Sequence, residues 1–161
     1  MPKKIICHDS PGKLYKVDNK DLMWRPSVYG LLFDGDKILL SRQWDGYDFP
    51  GGGININETV EEGLMREFWE ETGLKIRIGK VFYINTSFFK PSSRNEFWNS
   101  ILIYYLCYKK SGKLNINNAD EEEKKYIGLP EWVDIKDIKK IKFYNSSDNK
   151  DIIKKGYELV K

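Results

Sequence analysis

Residues 51–74 read GGGININETVEEGLMREFWEETGL: a glycine run, a polar loop, and a helix that stops on a glycine. The run Gly51-Gly52-Gly53 follows Pro50, and three glycines in a row permit backbone angles that side chains forbid, so the spacing predicts a loop from Gly51 to Asn57. Thr59 is placed as an N-cap, and Glu62 three residues later completes a capping box. Gly73 is placed as the left-handed residue that ends the helix. Val60, Leu64, Phe68 and Thr72 recur every fourth position and predict the face that packs on the protein.

The glutamates lie off that face. Glu67 and Glu71 are one turn apart with Glu70 beside them, which predicts an exposed acidic ridge near the helix C-terminus. Like charges at that spacing repel by roughly a few tenths of a kcal/mol each, and the negative end of the helix dipole adds to the cost. A divalent cation removes the conflict, because hard Mg2+ or Mn2+ takes carboxylate oxygen and keeps waters that phosphates can replace. Arg66 can pair along the helix with Glu62 or Glu70, or reach back to Glu58 and hold the loop. Charge alone leaves a second reading open, a solvated acidic face with a structural arginine.

The whole segment resembles the signature of the Nudix hydrolases, G-x5-E-x7-R-E-U-x-E-E-x-G-U with U a bulky apolar residue. Gly52, Glu58, Arg66, Glu67, Glu70, Glu71, Gly73 and Leu74 all match, and Phe68 stands where an aliphatic residue is commoner. The resemblance implies an α/β fold, an α/β/α sandwich with a mixed central sheet, and one such domain over residues 1–161. It also implies metal-dependent hydrolysis of the diphosphate bond in a nucleoside diphosphate linked to another group. Glu67, Glu70 and Glu71 would then ligate Mg2+ or Mn2+, with Glu58 an outer ligand. Arg66 would orient the carboxylates, and Gly51, Gly52 and Gly53 would let backbone amides approach phosphate. Glu67 is the favoured base; a carboxylate among Glu121, Glu122 and Glu123 is the alternative.

Away from this segment, Val28–Phe33 and Lys37–Gln43 read as a hairpin turning at Asp34-Gly35-Asp36, almost continuously apolar as in a sheet covered on both faces. Trp44, Tyr47 and Phe49 are candidates to line a base pocket. Arg25, Arg42, Lys90 and Arg94 are candidates for terminal phosphate or carboxylate, with Arg42, Phe49 and Arg94 the preferred substrate contacts. Lys75–Phe89, with a turn or bulge at Gly79, and Phe97–Lys109 predict long strands joined by the loop Lys90–Glu96. Trp132-Val133 predicts a short strand, Asp134–Ile141 a helical turn, and Asp151–Val160 a C-terminal helix.

The 161 residues suit one domain, and 40% hydrophobic content suffices for a core. A net charge of +3 with dispersed lysines is too mild to argue for nucleic acid and is equally compatible with a small anionic substrate; the resemblance implies a small nucleotide-derived substrate and no stable nucleic-acid partner. Cys7 and Cys107 form no metal or redox spacing, and no leader or membrane-length apolar run is visible, so the expected setting is cytoplasmic with no membrane partner. Exposed aromatics allow a homodimer. A Nudix-like module that binds a nucleotide or RNA without cleaving it is the alternative function; such modules usually lose box glutamates, and none is missing here.

Overall fold

The computed structural model describes residues 3–161, so the first two positions of the one-domain and no-leader expectations lie outside the described residues. Strands β1 (Lys4–His8), β2 (Leu14–Asp18) and β3 (Leu22–Trp24) lead into the hairpin of β4 (Ser27–Asp34) and β5 (Lys37–Gln43). Short strands β6 (Gly46–Asp48) and β7 (Gly51–Gly53) precede helix α1 (Val60–Thr72). The chain continues through β8 (Lys75–Phe89), β9 (Phe97–Ser111), β10 (Ile127–Asp134) and helix α2 (Asn149–Val160).

The principal strand order is β10-β5-β4-β9-β8-β1-β2. β4 and β9 run parallel from Ser27↔Leu102 to Leu32↔Cys107, whereas β4–β5, β8–β9 and β10–β5 are antiparallel, so the sheet is mixed. Alternation along the central strands divides the core in two. Val28, Leu32 and Leu39 pack under Leu64 and Phe68 of α1. Tyr29, Leu31, Ile38 and Leu40 pack on the other face with Ile152 and Ile153 of α2. This is the expected α/β/α sandwich.

Local signals place α1 as read. Thr59 Oγ1 accepts the Glu62 amide at 3.2 Å, the Glu62 carboxylate accepts the Thr59 amide at 2.8 Å, and Gly73 sits at φ 76°. The bulge expected near Gly79 is present as register shifts between Ile78 and Tyr83. A 3-10 helix at Ile135–Lys140 matches the helical turn. Two expectations need correction. The glycines do not form an open loop: Gly51–Gly53 is a strand paired with Ser27–Tyr29, because a chain without side chains can lie directly against the β4 backbone. Nor are Glu67 and Glu71 on an exposed ridge; they are only 8% and 7% exposed, turned into the space between α1 and the β4–β5–β7 edge.

Candidate active site

A cleft of about 190 Å³ opens where β7, α1 and the segments after β9 meet, and Gly52, Glu67, Glu71 and Glu123 line one part of it. α1 reaches this position because β7 offers no side chains. A Cβ on Gly52 would stand 2.9 Å from the Glu67 carboxylate, and one on Gly51, at φ 150°, would stand 2.1 Å from the Val28 carbonyl oxygen.

In and beside the cleft the carboxylates divide into two groups. Glu67, Glu70 and Glu123 bring one oxygen each to within 4.8 Å of one another. At an effective dielectric of about 20, two full charges about 5 Å apart repel by about 3 kcal/mol, so the trio is strained while fully ionised. Burial raises the proton affinity of Glu67, helped by Glu70 and Glu123 and opposed by Arg66. Glu70 and Glu123 are raised for the same first reason, burial. An all-oxygen set of this spacing fits a hard divalent cation, and thiolates and imidazoles are absent from it.

Glu58 and Glu71 stand outside that trio and make hydrogen bonds of their own. Arg66 donates from Nε and Nη2 to the two Glu58 oxygens at 2.5 and 3.0 Å, from Nη2 to the Gly53 carbonyl at 3.1 Å, and from Nη1 to Glu67 and Glu70 at 2.9 and 3.2 Å. The guanidinium beside Glu58 holds that carboxyl down at about 2, and the Asn55 amide adds a donor at 2.9 Å. Of the pairings expected for Arg66, those with Glu58 and Glu70 form; Glu62 is engaged in the capping box. Glu71 Oε2 accepts from Ser41 Oγ at 2.7 Å and from the Gly51 amide at 3.2 Å. Burial and the neighbouring Glu67 raise its proton affinity strongly. The structure therefore gathers Glu67 and Glu70 as expected and adds Glu123, while Glu58 holds Arg66 and Glu71 ties α1 to the strands. Of the acidic loop, Glu121 and Glu122 pair outward with Lys124 and Lys125.

The preferred substrate contacts fall elsewhere. Phe49 is wholly buried, packed against Tyr104 and Phe143, since it follows Asp48 on the core side of the chain. Arg42 is one residue past Ser41, so strand alternation sends it to the opposite face, where it donates to Glu131 at 2.8 Å. Arg94 is exposed at the tip of its loop and does not border the cleft. Among the three aromatics, only Trp44 borders it, stacked on Tyr126 with ring centroids 4.7 Å apart.

Arg25 does reach the cleft. Its guanidinium lies 4.1 Å from the Trp98 ring, donates to Ser27 Oγ at 2.9 Å, and among the described residues pairs with no carboxylate. Sequence reasoning also missed Asp48 and Asn145. Asp48 is 9% exposed, and burial lifts its carboxyl to about 7. An acid inside the aromatic run YDFP was the available signal for it; Asn145 gave none.

A family model described as NUDIX domain matches residues 23–155. A MutT-like protein of Streptomyces ambofaciens is 37% identical over 66 residues, 38% of this chain and 43% of that protein. An RNA pyrophosphohydrolase of Pasteurella multocida is 36% identical over 66 residues, 38% of this chain and 33% of that protein. The matched stretches thus span less than half the length of these curated relatives. A crystal structure of an ADP-ribose pyrophosphatase from Streptococcus suis superposes with a TM-score of 0.65 at 20% identity, covering 85% of this chain and 92% of that one, and shares the fold. No helix among the described residues is long and apolar enough to cross a membrane.

Proposed function

The chain belongs to the Nudix hydrolase family, and on that premise we propose that it hydrolyses the diphosphate bond of a small nucleotide-derived substrate with Mg2+ or Mn2+. The observation that carries this reading is the convergence of Glu67, Glu70 and Glu123 within 4.8 Å, with Glu67 and Glu123 lining a cleft that Gly51, Gly52 and Gly53 also line. Those three residues would hold the cation, with Glu71 bordering them. When bound, it neutralises charge on the diphosphate and favours ionisation of an attacking water.

The chain's own groups supply the rest. Gly51, Gly52 and Gly53 leave room for the diphosphate beside the carboxylates, and Arg25, which among the described residues pairs with no carboxylate, offers its guanidinium for a phosphate oxygen. Glu67 accepts the water proton at a carboxylate oxygen, a role suited to a buried acid with raised proton affinity. Arg66 fixes Glu67 and Glu70 from behind and keeps its own proton. A cytoplasmic setting and a homodimer complete the proposal. Both thiols, Cys7 and Cys107, are free and buried, and Leu14, Met23 and Trp24 present exposed apolar surface.

The test is phosphate release from a panel of nucleoside diphosphate conjugates and triphosphates with Mg2+ or Mn2+, comparing the wild type with Glu70→Gln and Glu67→Gln. Turnover of at least one compound is expected, with a fall of about 100-fold or more in either variant and weaker Mn2+ binding by calorimetry. Tight binding of one compound without turnover of any would replace this reading with the non-cleaving module.

A further inference from the structure

The last turn of α1 is met by the segment that follows β9. The Thr72 carbonyl accepts the Asn115 amide at 3.0 Å, and Asn118 Nδ2 makes a longer bond, at 3.5 Å, to the Trp69 carbonyl. Carbonyls at a helix C-terminus have no partner inside the helix, so donors arriving from another segment fasten that segment to the helix. Two glycines permit the approach. A Cβ on Gly112, at φ 100°, would stand 2.6 Å from the Gly73 carbonyl oxygen, and one on Gly73 would stand 2.5 Å from the Lys113 carbonyl oxygen. The exit of β9 thus lies directly against the end of α1.

Asn115 holds the bend that follows. Its Nδ2 donates to the Lys113 carbonyl at 2.9 Å and its Oδ1 accepts the Asn117 amide at 3.0 Å, so both ends of the side chain are engaged while its own backbone N–H meets Thr72. The chain continues through the buried Ala119 to Asp120. Asp120 Oδ1 accepts the Glu123 amide at 2.8 Å, and Glu123 Oε2 accepts the Asp120 amide at 3.3 Å. The Glu123 carboxylate is therefore oriented by the segment that Asn115 fastens to α1, the helix that carries Glu67 and Glu70. Between Ser111 and Glu123 the chain makes turns but neither strand nor α-helix. An unfastened connection of that kind samples many positions, and confining a carboxylate to one of them costs conformational entropy.

We propose that Asn115 is a positioning residue for the cation: it clamps the chain leaving β9 onto the C-terminus of α1 and so holds Glu123 beside Glu67 and Glu70. Asn115 itself touches neither cation nor substrate and acts through Glu123. The clamp confines the mobile part of the connection to the few residues between Asn115 and Glu123, and refers them to the helix that supplies the other two carboxylates. The inference rests on the reading of the trio as a cation site and adds to it the residue that keeps the trio assembled.

The test is calorimetric binding of Mn2+ to the full chain, comparing the wild type with Asn115→Ala, Glu123→Gln and the double variant. Each single variant should weaken Mn2+ binding by about tenfold or more, the scale expected when a ligand or the group that orients it is removed. In the Glu123→Gln background, Asn115→Ala should change the affinity by less than about twofold, because the carboxylate it positions is already gone. A merely structural loss would weaken binding equally in both backgrounds, so additive effects would overturn the role, as would wild-type Mn2+ affinity in a folded Asn115→Ala protein. A wild type that binds no Mn2+, or a Glu123→Gln protein with wild-type affinity, would instead overturn the cation reading and this role with it. Should Asn115→Ala fail to fold, hydrogen exchange on the metal-free wild type decides. Relative to intrinsic rates, the Asn115 amide should exchange at least about tenfold more slowly than those of Glu121 and Glu122, and equal rates would mean that the segment is not fastened.

Discussion

Arg66 is one cation facing Glu58, Glu67 and Glu70, and it also ties the Gly53 carbonyl to the helix. Its value is geometric as much as electrostatic, since a planar guanidinium can serve all of these acceptors from one position and an ammonium cannot. Arg66→Ala should lower stability by about 2 kcal/mol, because it strands charge-assisted hydrogen bonds that are only partly solvated. Arg66→Lys should keep part of the stability but lose most turnover, as Glu67 and Glu70 would no longer be fixed together. Urea titration monitored by tryptophan fluorescence, alongside the phosphate-release assay, separates the two effects.

The unit of the site is β7 packed against α1, and two adjacent glycines in it have different duties. A side chain on Gly52 would meet the carboxylate of Glu67, the end of a flexible side chain that can swing aside. Gly52→Ala should therefore cost little stability and about 100-fold in turnover, the scale expected for misplacing a reacting group by about 1 Å. A side chain on Gly51 would meet rigid β4 backbone, so Gly51→Ala should destabilise by about 3 kcal/mol or more, read as a fall in melting temperature. Helix α1 was legible in the sequence because its capping box, apolar stripe and terminal glycine act over one turn. The burial of Glu67 and Glu71 was not, since it depends on strands that pair across the chain. The same holds for Arg42 and Phe49: Arg42 was read within a strand and Phe49 just ahead of the glycine run, but the face each occupies is decided by pairing register. Asn145 was invisible for a further reason, as its place beside the cleft is fixed by two donors, one on β9 and one at the approach to α2.

Across the molecule the buried acids set the response to pH. Asp48, Glu67, Glu70, Glu71 and Glu123 all hold protons more tightly in the folded chain, with burial the first cause of each shift. For Asp48 the contribution is fully present below its unfolded value of 3.8 and is lost as pH rises through about 7. Glu58 works the other way, present above 4.5 and lost as pH falls through about 2. Metal-free protein should consequently melt at a higher temperature at about pH 5 than at about pH 7.5. Added Mn2+ should raise the melting temperature more at the higher pH, where it competes with fewer protons, by about 2–4 °C for each kcal/mol recovered. Differential scanning calorimetry at the two pH values, with and without Mn2+, reads this directly.

The parallel pairing of β4 with β9 encloses α1 and all of β8 between two neighbouring strands, and Glu123 lies beyond β9 in the chain. Closing so long a connection is slow compared with winding a helix. The order of assembly follows. During refolding α1 should gain its far-ultraviolet signal first, and high-affinity Mn2+ uptake should lag until β9 docks and delivers the last carboxylate. Cation capture would thereby report the docking of β9, and stopped-flow refolding followed by both signals would resolve the interval between them.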